Sequence, residues 1–183
     1  HEAPVRDTIL KQLPAWAKPQ VDAKGNIRVS MGQGARPLVF IAHMDEVGFE
    51  TTAILPDGRV SLRTRGGAVI PSWEGTPAYL HRTGSPALRG VFVPRDSGRL
   101  RSPGSLTAWF GLDSAQLVAS GVRIGQSLTS YKRAERLLGS RITGRGSDDR
   151  TGTTALLFAI RRINPDSLAR KVIFVWSVQE EGG

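Results

Sequence analysis

The sequence predicts an α/β fold interrupted by an inserted all-β domain. Three observations carry this. Two continuous apolar runs, at 37–42 and 171–178, suit strands of a buried sheet. A broad apolar face at helical period follows Arg150. Between them, at 51–140, short β-like runs are broken by Gly and Pro, the texture of a small barrel or sandwich. The expected organisation is an α/β domain built from 1–50 and 141–183, with the insertion at 51–140.

Residues 3–13 place Val5, Ile9, Leu10 and Leu13 on one side of a short helix, which Pro14 and Pro19 end. Val21-Asp-Ala-Lys-Gly-Asn26 is a turn between two short strands, the second at 27–31. After Gly32-Gln-Gly34 comes Pro37-Leu-Val-Phe-Ile-Ala42, expected to be a strand buried on both faces, with His43 at its end. In the insertion, Asp57-Gly58 joins two β runs, and Gly66-Gly67 and Pro71 break the next. Further short runs lie at 77–81, 89–94 and 106–112, with one helical turn at 114–120. From Ser140 the α/β texture returns. A helix is expected at 150–163, with apolar residues at 155, 156, 158, 159, 160 and 163. A turn at Asn164-Pro165 leads to the final apolar strand.

Composition narrows the function. Cysteine is absent, so any metal must be held by nitrogen and oxygen ligands. No apolar run approaches the ~20 residues of a membrane-spanning helix, and no membrane partner is expected. The net charge of +9 raises nucleic acid as a partner. Residues 51–140, however, scatter 12 basic and five acidic side chains through strand-like segments with few interleaved exposed aromatics. That is not a dedicated groove, and no nucleic-acid partner is expected. The chain opens on His1 without a leader and stops at Gly183 directly after an acidic pair. It reads as C-terminally truncated, with a start that has been trimmed, and the expected compartment is the cytoplasm.

Three segments carry candidate chemistry. Gly144-Arg-Gly-Ser-Asp-Asp-Arg-Thr-Gly152 puts two carboxylates at a helix mouth. One aspartate suffices as a cap; Asp148 is left over, and adjacent negative charges are costly without a positive neighbour. Upstream stands Ala42-His-Met-Asp-Glu-Val-Gly48, downstream Gln179-Glu-Glu-Gly182. Each alone is explained by a cap, a surface histidine or a solvated acidic pair. Together they place His43, Asp148, Glu180 and Glu181 at the ends of strands or the start of a helix, where ligands gather in open α/β sheets. Imidazole and carboxylate suit a divalent ion with an open position for water.

These same three motifs resemble those of the co-catalytic dinuclear metallo-aminopeptidases, above all the tetrahedral, glutamyl and deblocking aminopeptidases, some of which are labelled endoglucanases. The likeness runs along essentially the whole chain, including His1-Glu-Ala-Pro-Val-Arg6 and Leu112-Asp-Ser-Ala-Gln-Leu-Val-Ala-Ser-Gly-Val-Arg-Ile-Gly125. It implies a phosphorylase/hydrolase-like mixed sheet with helices on both faces, and an inserted β-rich domain that mediates homo-oligomer formation. It implies two divalent metal ions, zinc first and cobalt second, and peptide substrates cleaved at the N-terminal residue. Asp148 would bridge the metals, followed by Asp149 across an often cis peptide. His43 would bind one metal and Glu181 the other. Glu180 would be the general base, and Asp45 a partner orienting His43. Gly182 departs mildly from the pattern, where an apolar residue is usual. The family's last two ligands, an aspartate and a histidine, have no counterpart here. The chain by itself is therefore expected to hold no working dinuclear site, and its 171–178 strand to be left uncovered and prone to associate. Two other functions share much of this pattern: a metal-dependent N-acyl amino acid deacylase, and a non-catalytic binding homologue of the same fold.

Overall fold

A computed structural model describes residues 2–95 and 106–182. His1, Asp96, Arg99, Arg101 and Gly183, all used in the sequence reading, lie outside them. In chain order the elements are helix α1 (Ala3–Gln12) and strands β1 (Gln20–Val21), β2 (Ile27–Met31) and β3 (Leu38–His43). Next come β4 (Gly48–Ile54), β5 (Arg59–Arg65), β6 (Pro77–Arg82), β7 (Ser85–Val93) and β8 (Thr107–Trp109). Helix α2 (Ser114–Ala119), then β9 (Ser127–Ser130), β10 (Glu135–Arg136) and β11 (Ile142–Thr143), precede helix α3 (Ser147–Arg162) and β12 (Val172–Ser177). The chain divides into two compact units. Residues up to Glu46 join Gly146–Glu181 in one, and Val47–Arg145 form the other.

The first unit is a mixed four-stranded sheet in the order β1-β2-β12-β3. Strand β12 runs antiparallel to β2, with Phe174 opposite Val29, and parallel to β3, with Ser177 opposite His43. Its core gathers Ile9 of α1, Ile27, Val29 and Met31 of β2, Met44, Leu157 and Ile160 of α3, and Val172, Phe174 and Trp176 of β12. Leu157 was absent from the expected apolar face of α3, whereas Phe158, which was included, is exposed. The turn before β2 is built by Asp22, whose Oδ1 accepts the backbone N–H groups of Lys24, Gly25 and Asn26 at 2.9, 2.9 and 3.0 Å. Gly25 sits there at φ +104°, a conformation side chains disfavour.

Two expectations about burial are reversed. Strand β3 was expected to be covered on both faces, yet Leu38, Val39, Phe40 and Ile41 are 44–65% exposed. Strand β12, read as a strand of a buried sheet but then expected to be left uncovered for want of further elements, is largely buried. The physical reason is strand order. An apolar run does not say which strand will stand inside the sheet. Here β12 has a neighbour on each side, and β3, among the described residues, has one.

The second unit is a closed barrel in the order β4-β5-β8-β7-β6-β9. Closure leaves none of its six strands with a free edge. Its centre is aromatic: Phe49, Trp73 and Phe92 meet with ring centroids 5.0–5.5 Å apart. Val60, Leu62, Ala78, Leu80, Ala108, Leu117 and Leu128 complete the filling. Gly90 is required by packing, since a Cβ there would collide with the Phe110 ring. Helix α2 opens on a capping box: Asp113 accepts the Gln116 N–H, and the Gln116 side chain accepts that of Asp113. The hairpin β10–β11 stands beside the barrel sheet as a separate pair. Among the described residues no helix is long and apolar enough to cross a membrane.

Candidate metal centre

The first unit brings together the carboxyl ends of β3 and β12 and the start of α3, because β3 and β12 run parallel and in register. His43 is the last residue of β3. Its backbone carbonyl accepts a hydrogen bond from Thr153 Oγ1 at 3.0 Å, and the Thr153 carbonyl in turn accepts one from Trp176 Nε1 at 3.2 Å. The core of the sheet thus fixes the imidazole's position along the strand.

The start of α3 departs from helix at two residues. Asp148 and Asp149 have non-helical dihedrals, and the peptide between them is cis. Asp149 does the capping: its Oδ1 accepts the Gly152 N–H at 2.8 Å. Asp148 is freed from that task, and its side chain, 87% exposed, turns to His43. His43 Nε2 lies 3.0 Å from Asp148 Oδ1 and 3.7 Å from Glu180 Oε2. One nitrogen and one carboxylate oxygen each from His43, Asp148 and Glu181 all lie within 4.8 Å of one another.

The loop after β12 presents Glu180 and Glu181. Asn26 Oδ1 accepts the Val178 N–H at 2.8 Å, and Gln179 takes a positive φ of 62°. Asp45 then accepts two successive amides, Glu180 N–H at 3.2 Å and Glu181 N–H at 2.9 Å. The Asp45 carbonyl oxygen is 3.2 Å from His43 Nδ1, while its carboxylate Oδ1 stands farther off, at 3.6 Å.

Four carboxylates face one imidazole, and the titration of the site reflects it. Burial works to lower the His43 pKa, but the Asp148 hydrogen bond and the charges of Asp45 and Glu180 hold it above its ordinary value. Burial raises the Glu181 carboxyl; His43 opposes this, and Asp148, Glu180 and Asp45 add to it. Arg150 is 3.9 Å from Glu46 rather than within the carboxylate group. Such a field favours a cation.

Residues 25–183 match the M42 glutamyl aminopeptidase family. The chain belongs to that family. SgcX of Escherichia coli (strain K12) is 29% identical over 193 residues, covering 99% of this chain and 52% of its own length. The chain spans about half the length of the curated relatives it matches. Among solved structures, the Pyrococcus horikoshii TET1 peptidase, described as assembling into a tetrahedron or a large octahedral shell, is 31% identical with a TM-score of 0.86. The match covers 100% of this chain and 57% of that one. A Thermotoga maritima protein named endoglucanase is 29% identical with a TM-score of 0.78, covering 98% and 55%.

In this M42 chain the structure brings His43, Asp148, Glu180 and Glu181 into one cluster, with Asp45 beside them. Three contributions escaped the sequence reading. Thr153 sits in the Thr-Gly-Thr-Thr run after Asp148-Asp149-Arg150, where threonine reads as ordinary helix filler. Asn26 was legible only as a turn residue. The hold of Asp45 on the Glu180 and Glu181 amides had no signal in the sequence, because it joins two segments through backbone atoms.

Proposed function

We propose that this chain carries part of the active site of a metal-dependent aminopeptidase that removes N-terminal residues from peptides. The observation behind this is the convergence of His43, Asp148 and Glu181 donor atoms within 4.8 Å, in a chain of the M42 family. The donor set, one imidazole and carboxylates in an electronegative cluster without cysteine, fits zinc, and also cobalt. His43, Asp148 and Glu181 would hold the metal. Were two ions bound, the same three residues would be this chain's contribution to holding them.

Bound there, divalent ions supply a lowered water pKa and polarisation of the scissile carbonyl. The remaining work belongs to the chain. Glu180 is exposed and reaches to 3.7 Å from His43 Nε2, so its carboxylate stands beside the donor cluster without being needed in it. It takes the proton of the attacking water and returns it to the leaving amine. Asp45 and Thr153 hold His43 and the glutamate loop in place. Self-association through the barrel unit belongs to the same reading. Leu138, Ile142 and Ile124 are exposed apolar side chains on that unit, and a barrel without open edges must associate through such side chains.

The test of the assignment is Glu180→Gln in a form of the protein that cleaves aminoacyl anilides. Metal content should stay the same and turnover fall at least ~100-fold, the lower end of general acid–base contributions. Near-normal turnover in the metal-loaded variant would remove Glu180 from the role of base.

A further inference from the structure

The loop from Val178 to Glu181 has three backbone amides that donate to no strand partner but are nonetheless satisfied. Asn26 takes the first, and the two oxygens of Asp45 take the other two, one each. Gln179, between them, is held at a positive φ. That turn points the amides of Glu180 and Glu181 the same way, forming a small concavity of N–H groups that suits an anion. Asp45 fills it from the opposite segment, with a side chain only 10% exposed. Its carboxylate is 3.6 Å from His43 Nδ1, beyond hydrogen-bond reach, while the Asp45 carbonyl is at 3.2 Å. The imidazole is therefore oriented by the backbone of residue 45. The carboxylate is engaged elsewhere.

We propose that Asp45 is a positioning residue for the Glu180–Glu181 loop, its carboxylate clamping the two amides so that the side chains of the base and of a metal ligand face Asp148 and His43. This rests on the roles proposed above for Glu180 and Glu181. The clamp needs two acceptor oxygens at a fixed span. Asparagine offers one acceptor and turns an NH2 toward an N–H donor. Glutamate keeps the charge but is one methylene too long.

Two measurements test it on the 183-residue chain. The first is amide hydrogen exchange on the wild type without metal. The Glu180 and Glu181 amides should be protected at least about tenfold relative to Gly182. In Asp45→Asn that protection should vanish, while amides of β2 and β12 keep theirs. The second is zinc titration. Asp45→Asn should weaken binding by about 10- to 100-fold, the usual effect of losing a ligand's support, and Asp45→Glu should not restore it. Unprotected Glu180 and Glu181 amides in the wild type overturn the clamp, whether or not the variant folds. So does full zinc affinity in Asp45→Glu, which would assign the effect to charge alone. A wild-type chain that protects both amides yet binds no zinc would support the clamp and show that His43, Asp148 and Glu181 do not by themselves suffice for the metal.

Discussion

At the scale of single residues, Glu50 shows how a buried charge is tolerated and what it implies for acid stability. It is buried on β4, where its Oε1 accepts from Arg63 Nη2 at 2.6 Å and its Oε2 from Arg65 Nε at 2.6 Å. Burial pushes its pKa up, but the two guanidinium groups outweigh this and hold the carboxyl below its ordinary value. A depressed folded-state pKa contributes stability that is fully present above the unfolded value, near pH 4.3, and is lost as pH falls through the folded value. Glu50→Gln should therefore cost about 1–2 kcal/mol at pH 7, kept modest because both arginines remain half in solvent. It should also flatten the acid limb of a stability-against-pH curve measured by chemical denaturation. A variant that parallels the wild type down to pH 3 would show that the pair carries no such linkage. At this scale legibility was uneven. The convergence of His43, Asp148 and Glu181 could be read because residue types of one chemistry stood at element ends. The holds of Asn26 and Asp45 on the glutamate loop could not be read, because an amide's partner is decided by which loops the fold brings together.

Helix α3 carries the element-scale argument. Its sequence announced a helix mouth with two aspartates, one of them surplus, and the structure divides the labour that way, with Asp149 capping and Asp148 facing His43. What could not be read was why glycine follows three residues after the cap. A Cβ at Gly152 would fall within 2.6 Å of Asp149 Oδ2. In an exposed helix, Gly→Ala stabilises by about 1 kcal/mol. Here the sign should reverse: Gly152→Ala should destabilise by about 1–2 kcal/mol through loss of the cap, read as a lower urea midpoint with unchanged slope. A stabilised variant would mean that Asp149 does not cap. The strands teach a different lesson. The 37–42 and 171–178 runs are both continuously apolar and both suited a buried sheet, yet only the second is buried. The apolar count is similar in the two; the neighbours β12 acquires on either side make the difference.

Over the whole molecule, the two textures in the sequence correspond to a mixed sheet and a closed barrel. Self-association is the property that belongs to this scale. Leu138 at the β10–β11 turn is fully exposed and Ile142 is 72% exposed. Apolar side chains presented this way are covered in an assembly or invite one. Leu138→Asp combined with Ile142→Asp should lower the assembled fraction in sedimentation velocity without changing the thermal midpoint of dilute protein. An unchanged distribution at high concentration would place the contact elsewhere.

The excursion between Glu46 and Gly146 has one more consequence. Both residues lie in the sheet unit, and Gly146 abuts the Glu46 carboxylate. The chain leaves and re-enters at one spot, so the His43–Asp148 contact closes a long loop. For a floppy segment of that length, the closure entropy would exceed that of a six-residue link by about 2.5 kcal/mol. A folded barrel restricts the conformations open to that segment and so removes part of this difference in advance. The barrel thus bears on the donor cluster through chain statistics. Replacing Val47–Arg145 by a short Gly-Ser link should leave zinc affinity within a few-fold of the parent. Unfolding the barrel within the intact chain, by Phe49→Ala together with Phe92→Ala, should weaken it by more. If the two changes weakened binding equally, these chain statistics would be of no consequence to the metal site.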